Sequence, residues 1–232
     1  MVTQKKKIVH EIKFVIKNYK IHQVIHWLKC YCKTDPEFPS GSVSSIYYDT
    51  KEWRFMGEKI NSDYFKTKVR VRWYSDIKNI NHYDTSFVEA KYKIGSRREK
   101  TRIKTPYSGD WLSMVPLNNP ELCTIPYILF SNGEFLTQKI YPVFQISYKR
   151  QRFIDPFTRS RICIDYDICA PRVNNYMVSK FNSFNLTTAV FEMKSELSKL
   201  PLSLQPLIDI GLKKSSFSKY STCYQKINNI LF

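Results

Sequence analysis

Residues 64–74 read YFKTKVRVRWY, and the even positions Tyr64, Lys66, Lys68, Arg70, Arg72 and Tyr74 separate cleanly from Phe65, Thr67, Val69, Val71 and Trp73. A period of two is the signature of a β-strand, and the β-branched residues on the odd face suit a pleated, packed surface. One face is apolar and the other is a row of cations.

Working outward, the same split recurs. In 86–93 (SFVEAKYK), Phe87, Glu89, Lys91 and Lys93 oppose Val88, Ala90 and Tyr92. In 97–105 (RREKTRIKT), Arg98, Lys100, Arg102 and Lys104 fall together. In 8–17 (IVHEIKFVIK), Ile8, His10, Ile12, Phe14 and Ile16 share one face, and Val9, Glu11, Lys13, Val15 and Lys17 the other. Residues 43–49 (VSSIYYD) and 142–154 (PVFQISYKRQRFI) read as strands. So does 159–168, where Arg159, Arg161, Cys163, Asp165 and Asp167 alternate with Ile162, Ile164 and Tyr166. The last strand, 188–195, sets Val190, Glu192 and Lys194 against Phe191 and Met193. Helices are predicted for 19–33 with Asn18 as N-cap, for 109–115, 120–130 and 202–212, and for 216–231, whose stripe is Phe217, Tyr220, Tyr224, Ile227 and Leu231. Eight strands with few helices between them give an α+β chain built on an antiparallel sheet or barrel, in one domain over 1–232.

Composition bounds the partner. The 37 Lys and Arg outnumber the 20 Asp and Glu, a formal charge of +17, which calls for a polyanion: nucleic acid, an anionic membrane or a phosphate-rich small molecule. The cysteines, Cys30, Cys32, Cys123, Cys163, Cys169 and Cys223, form no CxxC pair and lie at no zinc-ligand spacing from His10, His22, His26 or His82. They read as reduced, mostly buried thiols of a cytoplasmic protein. The lysines at 5–7 precede no apolar core of a signal peptide, and no apolar run reaches the ~18 residues of a membrane-spanning helix.

The placement of charge narrows the choice. A solvated strand face normally mixes Lys, Glu, Ser and Thr. Here the polar faces are cationic on strand after strand, with the single acids Glu11, Glu89, Asp165 and Glu192 among them. The opposite faces are apolar and can pack beneath helices 19–33 and 216–231. A closed barrel with its charge inside and its helices outside meets both observations. Such a lumen repels itself until a polyanion and divalent metals neutralise it.

In order along the chain stand ExK at Glu11–Lys13, SSIYYDT at 44–50, KVRVRWY at 68–74, FVEAK at 87–91, EK at 99–100, YKR at 148–150, RICID at 161–165, FEMK at 191–194 and FSKY at 217–220. Together they resemble the catalytic domain of the vacuolar transporter chaperone (VTC) polyphosphate polymerases, members of the triphosphate tunnel metalloenzymes alongside the CYTH-type phosphohydrolases. The resemblance covers essentially the whole chain. It implies an eight-stranded antiparallel tunnel whose lumen cations, Lys13, Arg70, Arg72, Lys91, Lys100, Arg150, Arg161 and Lys219, grip ATP and the growing polyphosphate. Lys68, Arg102, Arg152 and Lys194 extend the phosphate-binding set, and Glu192, with Glu11 and Glu89, would hold Mn²⁺ or Mg²⁺. Tyr47 and Asp49 would support the wall. The chain departs from the family after SKY, where Ser221, Thr222 and Cys223 replace a frequent Gly, and its first motif is a bare ExK rather than the hydrolase-type ExExK.

The reaction implied is transfer of the γ-phosphate of ATP to inorganic polyphosphate, which needs positioning and charge neutralisation rather than a nucleophilic side chain. A triphosphate or polyphosphate hydrolase and a non-catalytic polyphosphate-binding module are the alternatives on the same fold; a polymerase needs cations over a longer track, which Lys66, Arg102, Arg152 and Lys194 supply. No nucleic-acid partner is expected, because no RNP, KH or recognition-helix signature occurs. With no membrane segment of its own, translocation of product would require a membrane-protein partner.

Overall fold

The structure is a computed structural model that describes residues 10–75, 85–133, 136, 138–179 and 181–228. Of the sequence expectations, those on lysines 5–7, Ile8, Val9, His82 and Leu231 lie outside the described residues. All eight predicted strands are present. They are β1 (His10–Lys17), β3 (Ser40–Asp49), β4 (Phe65–Ser75), β5 (Ser86–Ile94), β6 (Arg97–Thr105), β7 (Tyr141–Ile154), β8 (Arg161–Ala170) and β10 (Thr188–Ser195). Three two-residue strands join them: β2 (Lys33–Thr34), β9 (Phe184–Asn185) and β11 (Lys213–Lys214). The helices are α1 (Ile21–Tyr31), α2 (Arg54–Ile60), α3 (Gly109–Met114), α4 (Pro120–Thr124), α5 (Pro206–Ile210) and α6 (Lys219–Ile227). None is long and apolar enough to cross a membrane among the described residues.

The chain forms two compact units, and β7 and β8 contribute residues to each. The first comprises Met1–Gly41, Lys149–Ile168 and Leu186–Phe217. Its strands follow the hydrogen-bonded order β11-β1-β10-β8-β7, and β1 pairs antiparallel with β11 and β10, as β10 does with β8. Ile12, Phe14 and Ile16 of β1 pack with Phe191 and Met193 of β10 and with Ile162 and Ile164 of β8. Phe14 and Phe191 sit opposite each other in register and meet edge to face at 5.7 Å. The helix α1 closes this face with Ile21, Val24, Ile25 and Leu28, the i, i+3, i+4, i+7 stripe of an amphipathic helix.

The second unit comprises Ser42–Tyr148, Cys169–Asn185 and Ser218–Phe232, with strand order β7-β3-β4-β5-β6. Val69, Val71 and Trp73 of β4 and Val88 and Ala90 of β5 are fully buried with Leu112, Leu122, Ile125 and Leu129 of the segment 109–132. Burying each large aliphatic side chain contributes roughly 1.5–3 kcal/mol, so this face holds the sheet in its register. Arg172 donates to the carbonyls of Leu112 and Val115 at the end of α3, satisfying groups that the helix terminus leaves unpaired.

Several expectations are corrected. The hydrogen-bonded path among the described residues ends on β6 in the second unit and on β11 in the first, so the eight-stranded barrel appears as a mostly antiparallel sheet of eleven strands with helices. Asn18 does not cap α1: it lies in a 3-10 turn, Asn18–Lys20, and its side chain donates to the Leu186 carbonyl at 2.8 Å instead. Arg159 precedes β8 and, like Asp167, has a positive φ (59° and 52°), so the alternation over 159–168 holds only from Arg161 to Asp165. Asp167 pairs with the exposed Lys149 at 2.9 Å. Only Cys223 is buried; Cys30 is exposed and the other four thiols are partly so. The last helix is Lys219–Ile227, which leaves Phe217 outside it, and it does not lie beneath the apolar sheet face. Its actual place shapes the site.

Candidate functional site

The cationic face of the second unit is assembled by strand register. Lys66, Lys93 and Arg98 stand opposite one another across β4, β5 and β6, and Lys68, Lys91 and Lys100 form the next such row. The row beyond is Arg70, Glu89 and Arg102, then Arg72, Phe87 and Lys104. Directly opposed like charges destabilise a sheet, so two all-cation rows are a cost that a bound polyanion would remove.

Glu89 is the one carboxylate in these four rows, and its side chain is only 3% exposed. Arg70 holds its Oε2 through Nε (2.8 Å) and Nη2 (2.6 Å), and Lys100 holds its Oε1 at 2.8 Å. Arg72 and Arg102 approach at 3.8 and 3.6 Å. Burial pushes the Glu89 carboxyl up, but Arg70, Arg72 and Lys100 outweigh it and hold the group far below the usual carboxylate range. Glu89 therefore stays ionised and sets the guanidinium planes.

The strand β3 supplies the neutral partners. Tyr47 stands opposite Arg70 and Ser45 opposite Arg72. Arg70 donates through Nη1 to Tyr47 Oη at 3.1 Å, and Arg72 donates through Nε to Ser45 Oγ at 3.1 Å and through Nη2 to Tyr148 Oη at 3.5 Å. Burial raises the Tyr47 phenol, yet Arg70, Lys68 and Arg72 together bring it down to about 8. Sequence reasoning gave Tyr47 a wall role and missed Ser45 and Tyr148 as guanidinium partners. The odd positions of SSIYYDT carried that signal, since Ser45 and Tyr47 share a face.

The helix α6 packs on this same side. Tyr220 stacks on Tyr47 at 4.9 Å and on Phe144 at 5.2 Å, and Lys68 lies over its ring at 5.7 Å. Ser218 caps the helix by accepting from the Ser221 amide, and Lys219 lies over the Tyr148 ring at 4.6 Å. Lys219 thus comes to the sheet face that carries Arg70 and Arg72. Asp49 anchors the arrangement. It is fully buried and accepts from the amides of Thr50, Phe55 and Met56, the last two at the start of α2, and from Tyr220 Oη at 2.7 Å.

The polar face of the first unit mixes acids and bases. Glu11, Lys194 and Arg161 form one cross-strand row, and Lys13, Glu192 and Cys163 the next. Lys13 reaches Glu11 at 3.1 Å and Glu192 at 3.7 Å, and Lys194 reaches Glu192 at 3.6 Å. Arg150 grips the fully buried Asp165 with two parallel bonds of 2.5 and 2.7 Å, a bidentate geometry that fixes its plane. Arg152 donates to the Phe38 carbonyl at 3.0 Å, and Arg161 is exposed.

For a divalent ion, the donor chemistry of Glu192 and Glu11 fits. Both are carboxylates on one sheet face, the oxygen donors that hard cations take, and Lys13 reaches each of them. No group of three or more His, Cys, Asp or Glu gathers at metal-binding distance among the described residues. Glu89 is enclosed by cations, which places it among the groups that orient arginines.

The PH1012 protein of Pyrococcus horikoshii OT3 is similar in structure to the chain, with 12% identity and a TM-score of 0.41 over 91% of this chain and 97% of that one. A candidate adenylate cyclase from Vibrio parahaemolyticus matches at 13% identity and a TM-score of 0.46, over 97% and 99% of the two chains. Another from Bacillus halodurans matches at 10% and 0.46, over 96% and 89%. No curated protein matches. The sequence profile of the VTC domain matches residues 8–228, which takes in every strand, helix and charged row just described, and the chain belongs to the VTC domain family.

Proposed function

We propose that the protein is a polyphosphate polymerase that transfers the γ-phosphate of ATP to a growing inorganic polyphosphate chain with Mn²⁺ or Mg²⁺. The observation that carries this reading is the pair of unbroken cation rows, Lys66–Lys93–Arg98 and Lys68–Lys91–Lys100, next to the Glu89 cluster. Lysine rows suit a repeating phosphate chain, which needs point charges at intervals, while Arg70 and Arg72 offer planar forks for the oxygens of one phosphate group. Membership of the VTC family supports the assignment.

Arg70, with its partners fixed by Glu89 and Tyr47, holds phosphate in one orientation. Arg72 and Lys219 neutralise charge on the same face. Glu192 and Glu11 would hold the divalent ion, which would supply positive charge to offset that of the phosphates. In the first unit the exposed Arg161 would bind phosphate, while Arg150 is committed to Asp165 and positions it. The protein works beside a membrane partner if its product is to be translocated.

The test is incubation with ATP and Mn²⁺, following ADP, free phosphate and polymer. ADP with an acid-labile polymer, and a lag abolished by short polyphosphate primers, is the expected result. Free phosphate released one for one with ADP from the start, primed or not, would establish the hydrolase alternative.

A further inference from the structure

A half-open cavity of about 800 Å³ lies in the second unit, lined by none of the residues assigned above to phosphate or metal. Its volume falls in the range of small-molecule pockets. Lys51, just after β3, and Lys139, just before β7, converge on one ring, with ammonium groups 5.7 and 5.4 Å from the centroid of Tyr141. The described lining contains no Asp or Glu. Two like charges drawn to one ring with no acid in the wall leave a place for a doubly charged anion. The rim is aromatic: Tyr127 is 41% exposed and Tyr176 85%. Leaving such rings in water is unfavourable and is relieved by a flat partner. The floor is rigid, because the buried Asn174 donates to the Pro142 carbonyl at 2.8 Å and accepts from the Tyr176 amide at 3.0 Å.

We propose that this cavity is a second ligand site, taking a small flat ring that carries a phosphate monoester. Lys51 and Lys139 bind the dianion, and Tyr127 and Tyr176 stack on the ring. The site is independent of the proposed polymerase face and stands whether or not that reading holds.

Isothermal titration of the full chain with phenyl phosphate, AMP and inorganic phosphate tests it. At least one ring-bearing probe should bind saturably and about tenfold or more tighter than inorganic phosphate, reflecting the stacking contribution. Lys51→Ala/Lys139→Ala should weaken that probe about tenfold or more while circular dichroism stays unchanged. Arg70→Ala/Arg72→Ala should leave it within about twofold. Preference for AMP would assign a nucleotide, and equal binding of phenyl phosphate an aryl phosphate. Absence of saturable binding, inorganic phosphate binding as tightly as the ring-bearing probes, or an unchanged affinity in Lys51→Ala/Lys139→Ala would each overturn the proposal.

Discussion

The two units carry charge on their polar sheet faces in different ways. In the first, each acid has a basic neighbour: Lys13 lies between Glu11 and Glu192, and Arg150 is matched by Asp165. In the second, whole rows are cationic and Glu89 alone faces Arg70, Arg72, Lys100 and Arg102. A face whose acids and bases pair is largely neutralised by its own residues. A cationic face would gain more from a bound polyanion. The difference separates a face whose carboxylates already have basic partners from one on which cations predominate.

Variants of the two faces should therefore fail differently. Glu192→Gln, in the first unit, should reduce turnover by about 10³-fold, in line with loss of a preorganised electrostatic group, while ATP affinity changes less than about threefold. An affinity loss larger than the turnover loss would erase the contrast. Arg70→Ala, in the second, should weaken tripolyphosphate binding by roughly 10- to 100-fold, as for loss of a charge-assisted bond, measured by calorimetry. A smaller effect than that of Lys194→Ala would reverse the ranking of the faces.

Ligand stabilisation sharpens the comparison. Tripolyphosphate at about 100 times its Kd should stabilise the chain by ~2.7 kcal/mol, read as a rise in Tm of roughly 5–11 °C. Lys68→Ala/Lys91→Ala should raise the Tm of the unliganded protein or leave it unchanged, because it relieves an opposed pair, while shrinking the ligand-induced rise. Lys13→Ala should lower the unliganded Tm, since it strips a cation from two carboxylates.

The smallest effect concerns pH. The Tyr47 phenol is lowered to about 8 by Arg70, Lys68 and Arg72, against about 10 in an unfolded chain. Between these values the unfolded state holds the proton more tightly, so this group adds stability as pH rises from 8 to 10 and loses it as pH falls through 8. Comparing the stability of wild type with Tyr47→Phe over that window should expose up to about 2–3 kcal/mol. Tyrosinate absorbance should shift to higher pH when tripolyphosphate binds, because the anion offsets the same cations. An absorbance midpoint unmoved by the ligand would place the polyanion away from Arg70.

How much of this was legible beforehand depends on the interaction. Alternation in 64–74 assigned every side chain of β4 to its face, because a strand buried on one side permits only one register of polar and apolar residues. It also brought Glu11, Lys13, Glu192 and Lys194 to one face. It could not show that Arg150 spends its fork on Asp165, since partners on different strands depend on pairing that periodicity does not encode. The stripe of 216–231 identified a helix but not its sheet face: Tyr220 is amphipathic, and its hydroxyl sought Asp49 on the charged side. Asn18 resembled an N-cap, but the nearby Leu186 carbonyl competed for its side chain. At Asp167 a positive φ reversed the expected direction, and no local composition announces such a residue.

The bond from Tyr220 to Asp49 spans 171 positions of sequence. Closing so long a loop is entropically costly, and contacts of this separation lengthen the search for the native state. Docking of α6 is therefore a late event in folding. Tyr220 carries Lys219 beside it, so on the proposed reading Lys219 would join the cationic face with α6. Tyr220→Phe should leave early secondary structure formation untouched and slow or weaken only the final phase, read by stopped-flow fluorescence.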